Sequence, residues 1–469
     1  MSRIFSEEAQ TRGGQRAMTR YHRSVWLVSV LAVVATVVAL TVYAAQGPRL
    51  RVASVDVVRA VQFPGAVLRL ESDRPLGAIK PSQVSVQPDT GVAVDVSGPI
   101  VSLVFTQALR YGTDYRVRID DVAGDTRGNT GRWDYEFSTP SANLHYLDRG
   151  DAGAPDRIMR VGTKGQPPEV VYLAANVDVF VTIGSALITA SSEPSGASRL
   201  EIVEPVGDDI QRLVLPENTA IDQLLAPATG TRFLFTLSSL DELGPYDRTL
   251  FIADAAGGSR PEALSGLDGE PLRVTKAAVT PGSSQVVAWV DEVQVVRIDV
   301  DSGLVLPVAG EAQEFWGVSS DGSEALMVDL GGTVAINVES LREQRIVPGT
   351  VGTREVFEGQ THLMVDGRRV QTVVIGNQTD TEFTSLVVLD DGEGSSIPLY
   401  RTPDDLGSIG RFVVSPGDQY VAIEMTPNRG DAEADGRLLE PRNRSVTTVV
   451  VSIDSGQVVR SVEGFWPIW

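Results

Sequence analysis

The amino-acid sequence specifies an all-β extracytoplasmic region, a β-sandwich followed by a β-propeller of about seven blades, behind one N-terminal transmembrane helix. Three observations lead there. An uncharged stretch near the N-terminus is long enough to span a bilayer. Residues 51–140 are short runs of alternating polarity broken by turn residues. The last 330 residues or so repeat a strand, a tight turn and a very apolar strand. Hydrophobic residues make up 42% of the chain and charged residues 22%, proportions that exclude a wholly disordered protein. At roughly 150 residues per domain, 469 residues hold two or three domains, or one large repeat domain and a small one.

The apolar stretch runs from Val25 to Ala45 inside an expected helix over 24–46. Its 21 residues make about 31 Å of helix, the thickness of a bilayer core. No polar face recurs at helical spacing, and Trp26 and Tyr43 stand near the two ends where interfacial rings belong. The tail 1–23 carries Arg3, Arg12, Arg16, Arg20 and Arg23 against Glu7 and Glu8, so the positive-inside rule puts it in the cytoplasm and everything after the helix outside. The alternative is a signal peptide cleaved after Val42-Tyr43-Ala44, leaving a secreted protein; its apolar core would exceed the usual 7–15 residues.

Charge and residue counts exclude several chemistries. The formal net charge is −21, of which about −24 lies beyond the helix, so nucleic acid is not an expected partner. The absence of cysteine excludes disulfides, thiolate metal sites and an acylated lipoprotein anchor. Only Lys80, Lys164 and Lys276 are lysines; arginine supplies every other cation, a bias expected of a high-GC, actinobacterial source.

In the expected sandwich, 51–140, the runs Ala66–Leu70, Val92–Val96, Val101–Phe105, Tyr115–Ile119 and Tyr135–Phe137 alternate with period two, one face buried and one wet. About seven such strands in 90 residues is the pattern of a sandwich. The segment from Val101 to Pro140 resembles the bacterial Ig-like domain of the S-layer-protein type, on Leu109, Gly112, Thr113, Tyr115, Val117, Ile119, Asp125, Gly128, Asn129, Phe137, Thr139 and Pro140. The resemblance implies an Ig-like stalk without catalysis. Tyr115 and Trp133 are expected in its core.

In the expected propeller, 143–469, units start near 175, 220, 272, 313, 352 and 408. Each pairs a first hairpin, such as Val279–Trp289 or Val414–Ile423, with a second, such as Val296–Val305 or Val450–Val459. Two hairpins make a four-stranded blade that cannot bury both faces alone, and a ring of blades does so. The turns Ser415–Asp418 and Ser319–Gly322 resemble those of the TolB and prolyl-oligopeptidase WD40-like propellers. Leu144–Leu173 supplies three further strands, and Phe465–Trp469 the fourth, closing a seventh blade; six and eight blades are the alternatives.

The search for chemistry yields little. No G-x-S-x-G elbow is present. A catalytic histidine beyond the membrane would have to be His145 or His362, and His362 falls in a blade strand. Asp299–Gly303 lacks the ligands of a calcium loop and reads as a hairpin turn. No catalytic residue, cofactor or metal is expected. Three stretches break the repeat: Ser239–Asp247, Gly376–Thr381 and Thr426–Arg444. The last is long and charged, and long loops in compact domains carry function or disorder. Its Asn428, Arg429, Asp431, Glu433, Asp435 and Arg437 are the candidate partner-binding residues. The expected protein is a single-pass envelope binding or scaffold protein that meets another envelope protein or a cell-wall polymer. The alternative is an envelope hydrolase working in the propeller channel. An apolar patch above ~600 Å² on one rim marks the first; carboxylates and aromatics converging on the channel mouth mark the second.

Overall fold

A computed structural model describes residues 25–37, 47–125, 129–150, 154–204, 209–227, 229–257, 260–376, 383–402, 406–437 and 440–469. Residues 25–37 form a helix of exposed apolar side chains, Trp26 and Leu31 among them. No described helix is long and apolar enough to cross a membrane, and the rest of the expected span, 24 and 38–46, lies outside the described residues. The chain divides into two compact units: Met1–Val55 with Val67–Val104 and Tyr115–Phe137, and Asp56–Ala66 with Phe105–Asp114 and Ser138–Trp469. Two segments inside the expected sandwich boundaries therefore belong to the second unit.

The first unit has seven strands in two sheets. One is ordered Leu50–Val55, Val67–Ser72, Ile100–Phe105, Val92–Ser97; the other Val84–Gln87, Asp114–Val122, Gly131–Ser138. Alternation decides the faces. Tyr115, Val117 and Ile119 are buried, with Arg116 and Arg118 turned outward. Leu68 and Leu70 face inward from one sheet and Trp133 from the other, its indole N–H donating to the Pro48 carbonyl at 2.9 Å.

Among the described residues the second unit contains seven sheets in chain order, six of four strands and one of five, ordered from the ring's axis outward, and these are the blades. Their first, inner strands are Val179–Ile183, Thr219–Leu225, Val274–Val279, Glu314–Val318, Phe357–Leu363 and Ser408–Val414 in blades 2 to 7. Blade 6 adds a fifth strand, Thr350–Val351. In blades 2 to 7 the second strand packs on both faces, which explains its apolar run: Val286, Val287 and Ala288 are fully buried in blade 4, and every residue of Tyr420–Thr426 is buried in blade 7. The turns behave as read. Asp299 accepts from the Ser302 N–H at 2.8 Å and hydroxyl at 2.7 Å, and Gly303 turns with φ +71°. Asp321 accepts from the Ser319 hydroxyl at 2.7 Å while Gly322 sits at φ +74°.

Blade 1 is built from both ends of the unit. Asn143–Asp148, Asp156–Gly162 and Glu169–Ala174 are its outer three strands, and Phe465–Ile468 is the innermost, Phe465 opposite Leu147 and Ile468 opposite His145. Trp466 within this strand and Trp469 just after it weld it to both neighbours. Trp466 Nε1 donates to Phe180 O of blade 2 at 2.9 Å, and Trp469 Nε1 to Val413 O of blade 7 at 3.2 Å. Removing residues 465–469 strips buried Phe465 and these bonds at once. We expect a loss of several kcal/mol of unfolding free energy, at about 1.5–3 kcal/mol per large side chain; an unchanged urea midpoint would show that the ring is held elsewhere.

Candidate functional site

Strands that alternate direction outward from the axis give the ring two distinct faces. Connections from first to second and third to fourth strands leave by one face. Connections from second to third strands, and from one blade to the next, leave by the other. All three irregular stretches of the sequence are second-to-third connections: after Arg232–Ser239, after Arg369–Gly376 and after Tyr420–Thr426. The first and the last of them share one face. Of the second, residues 377–382 lie outside the described residues.

The opposite, first-turn face holds the mouth of the channel, a cavity of 810 Å³ lined by all seven inner strands and by the short helix Val57–Gln62. Asp56 caps that helix, its carboxylate accepting from Arg59 N at 3.0 Å. Asp56–Ala66 is held by Leu109 N donating to Ala60 O at 2.7 Å, and Phe105–Asp114 by Tyr111 N donating to Gln419 Oε1 at 2.8 Å. Gly417, in the first turn of blade 7, accepts no side chain here, since a Cβ would stand 2.9 Å from Leu109 O. Aromatic groups converge on the cavity from Phe63, Trp316, Phe412, Trp466 and Trp469. Arg411 lies 3.9 Å from the Trp466 ring centroid and pairs with buried Glu424 at 2.8 Å.

One polar cluster crosses the cavity wall. The Ser320 hydroxyl, in the first turn of blade 5, donates to Asp418 of blade 7 and meets His362 Nε2 of blade 6 at 2.7 Å. Asp418 also accepts from Val365 N at 2.9 Å. Burial lowers the His362 pKa to about 4 and raises that of Asp418 to about 6, the latter against its hydrogen bonds. The serine stands between histidine and carboxylate and gives its proton to the carboxylate. That order differs from the nucleophile, base and orienting acid of acyl transfer. The cluster instead binds three blades. His145 lies apart in blade 1, its pKa lowered to about 4 by burial and the Arg160 charge.

The structure divides the six candidate loop residues. Asn428 and Asp431 bond each other at 2.6 Å, and Arg429 is exposed; these three face solvent. Glu433 is exposed beside Arg444 at 3.9 Å. Asp435 and Arg437 instead reach into blade 1. Asp435 pairs with buried Arg149, and Arg437 lies 2.6 Å from Asp156 and 4.0 Å from Asp178, both carboxylates fully buried. Burial raises the Asp178 pKa. This half of the loop is a strap between the last blade and the first. Sequence reading missed it because the partners are some 280 residues apart.

No protein-family model matches the chain, and no curated protein matches it. Among solved structures it is similar to an oligogalacturonate lyase in complex with manganese (10% identity, 87% of this chain and 98% of that one, TM-score 0.42). It is also similar to a putative TolB from Agrobacterium tumefaciens (14%, 69% and 90%, 0.33) and to the Cps50 (Swd1) β-propeller domain from Myceliophteria thermophila (14%, 62% and 88%, 0.37).

Two measurements follow from this geometry. Folding holds the Asp418 proton more tightly than the unfolded value of 3.8, so its contribution is complete below 3.8 and is lost as pH rises through 6. His362 does the reverse: its contribution is complete above 6.5 and is lost as pH falls toward 4. Each is worth up to about 3 kcal/mol, and in the wild type they offset. Between pH 7 and 4, His362→Gln therefore gains stability relative to wild type on acidification and Asp418→Asn loses it; parallel urea-unfolding profiles for all three proteins would contradict this. In the strap, Arg437→Ala strands two buried carboxylates and is expected to cost about 3 kcal/mol in the same assay. Arg429→Ala should stay within about 0.5 kcal/mol of wild type; equal costs would refute the division of the loop.

Proposed function

We propose that this chain is a membrane-anchored extracytoplasmic binding protein. Its Ig-like stalk carries the propeller, and the face bearing the second-to-third and interblade connections docks a protein with an apolar patch and a basic rim. The observation that carries this reading is the distribution of exposed large apolar side chains. Val214, Leu243, Val293, Leu330, Val347 and Leu406 all stand on connections of that face, Leu243 fully exposed and Leu330 87% exposed. On the opposite face the turns carry fewer, Leu304, Leu341 and Val365. Apolar groups rimmed by polar ones mark association surfaces. Beside Leu243, exposed Asp241 and Glu242 make no ion pair among the described residues and favour approach by a cationic partner, while Asp291 and Glu292 are already met by Arg273 at 3.6 Å and Arg248 at 2.7 Å. The apolar stretch Val25–Ala45 and the five arginines before it support the anchor and its orientation.

Cross-linking with a membrane-impermeant reagent on intact cells tests anchor and face together. The wild-type chain should enter a specific cross-linked complex in the membrane fraction. Leu243→Asp with Leu330→Asp should lose it, while Leu341→Asp with Val365→Asp should keep it. A chain found in the soluble fraction, or a complex lost equally by both pairs, would overturn the reading; a cross-link to wall polymer in place of protein would replace the partner class.

A further inference from the structure

The channel mouth is distinct from the proposed docking face and has the makings of a second site. Its 810 Å³ lies within the size of a small-molecule pocket. Much of its wall is apolar, with Ile183, Leu224 and Val279 from three blades and Val58 from the helix. Three tryptophans, Trp316, Trp466 and Trp469, add flat faces. A sugar would need a denser set of hydrogen-bonding groups than these walls offer, whereas a ring or acyl body fits them.

Charge chooses the rest of the ligand. The protein carries −21 overall, yet the side chains lining the cavity bring two arginines, Arg59 and Arg411, against one carboxylate, Asp56; Lys276 lies outside the lining. Arg59 lies at the cavity on the exposed side of the helix and makes no ion pair among the described residues. Lys276, also without an ion pair among the described residues, stands 5.5 Å over the ring of Trp316. Arg411 already has Glu424, and Asp56 is spent on its helix cap. Glu314, at the start of an inner strand, is the carboxylate whose attraction Lys276 feels. An unpaired guanidinium beside aromatic walls is complementary to a carboxylate on a flat apolar body.

We propose that the channel mouth binds an aromatic carboxylic acid, its ring against the tryptophan walls and its carboxylate on Arg59. The helix Val57–Gln62 then acts as the lid that supplies the specificity-determining cation.

The test uses the full chain in lipid nanodiscs, with empty discs as the blank. Tryptophan fluorescence is followed while 2-naphthoate is added, and separately the neutral 2-naphthamide. Saturation by naphthoate at one equivalent is expected, with naphthamide at least tenfold weaker. Arg59→Gln should abolish that preference while leaving naphthamide binding and the circular-dichroism spectrum unchanged. Leu243→Asp with Leu330→Asp should bind naphthoate as wild type does, which separates this site from the docking face. Non-saturating quenching, equal affinity for acid and amide, or an acid preference that survives Arg59→Gln would each overturn the assignment.

Discussion

A sheet of four strands has two open edges and two faces, and neither can be left to water. That constraint organises the larger unit. Ring closure hides the faces between blades and leaves only the short outer strands exposed. The weak point is where the ring meets itself, and there the chain places a set of polar and aromatic contacts. Trp466 N–H bonds Glu424 at 2.9 Å, its indole reaches blade 2, and Arg411 stacks on it. Arg149 covers Phe465 at 4.6 Å and also anchors Asp435 of the strap. The same few residues thus close the backbone circle and tie down the longest loop.

Closure also creates the two surfaces on which function can be argued. Inner strands converge and must diverge again at a mouth, which leaves a cavity that small side chains do not fill. Connections on the far side are freed from that crowding and can lengthen, as three of them have. A face of long loops and a narrow, largely apolar channel are therefore two products of one geometry.

Much of this was legible along the chain. The units near 220, 272, 313 and 408 correspond to inner strands beginning at Thr219, Val274, Glu314 and Ser408, because a polar turn such as Ser415–Asp418 followed by an apolar run is a local signal. The closing strand was legible too, since aromatic residues at Phe465–Trp469 had no other hairpin to join. What escaped was non-local. Gln360 bonds Phe412 N and O of the next blade at 3.2 and 3.0 Å, and Gln223 does the same for Ala277 N and Thr275 O at 3.1 and 2.5 Å. Nothing in either local sequence marks a glutamine as an interblade clamp. Ser320, His362 and Asp418 are spread over 98 residues and meet only after three blades have packed. The inclusion of Asp56–Ala66 in the propeller's unit was hidden for the same reason: a helix of six residues gives no periodic signal of what it covers.

The innermost strand of the first blade is the last to be made. Asn143–Asp148 must wait for a partner more than 300 residues downstream, so during synthesis the unit is an arc with one unsatisfied edge. Loop closure of that length is slow compared with the formation of each hairpin. Ribosome stalling or premature termination anywhere before Phe465 would release an open arc, sticky at His145 and Leu147, in place of a shortened ring.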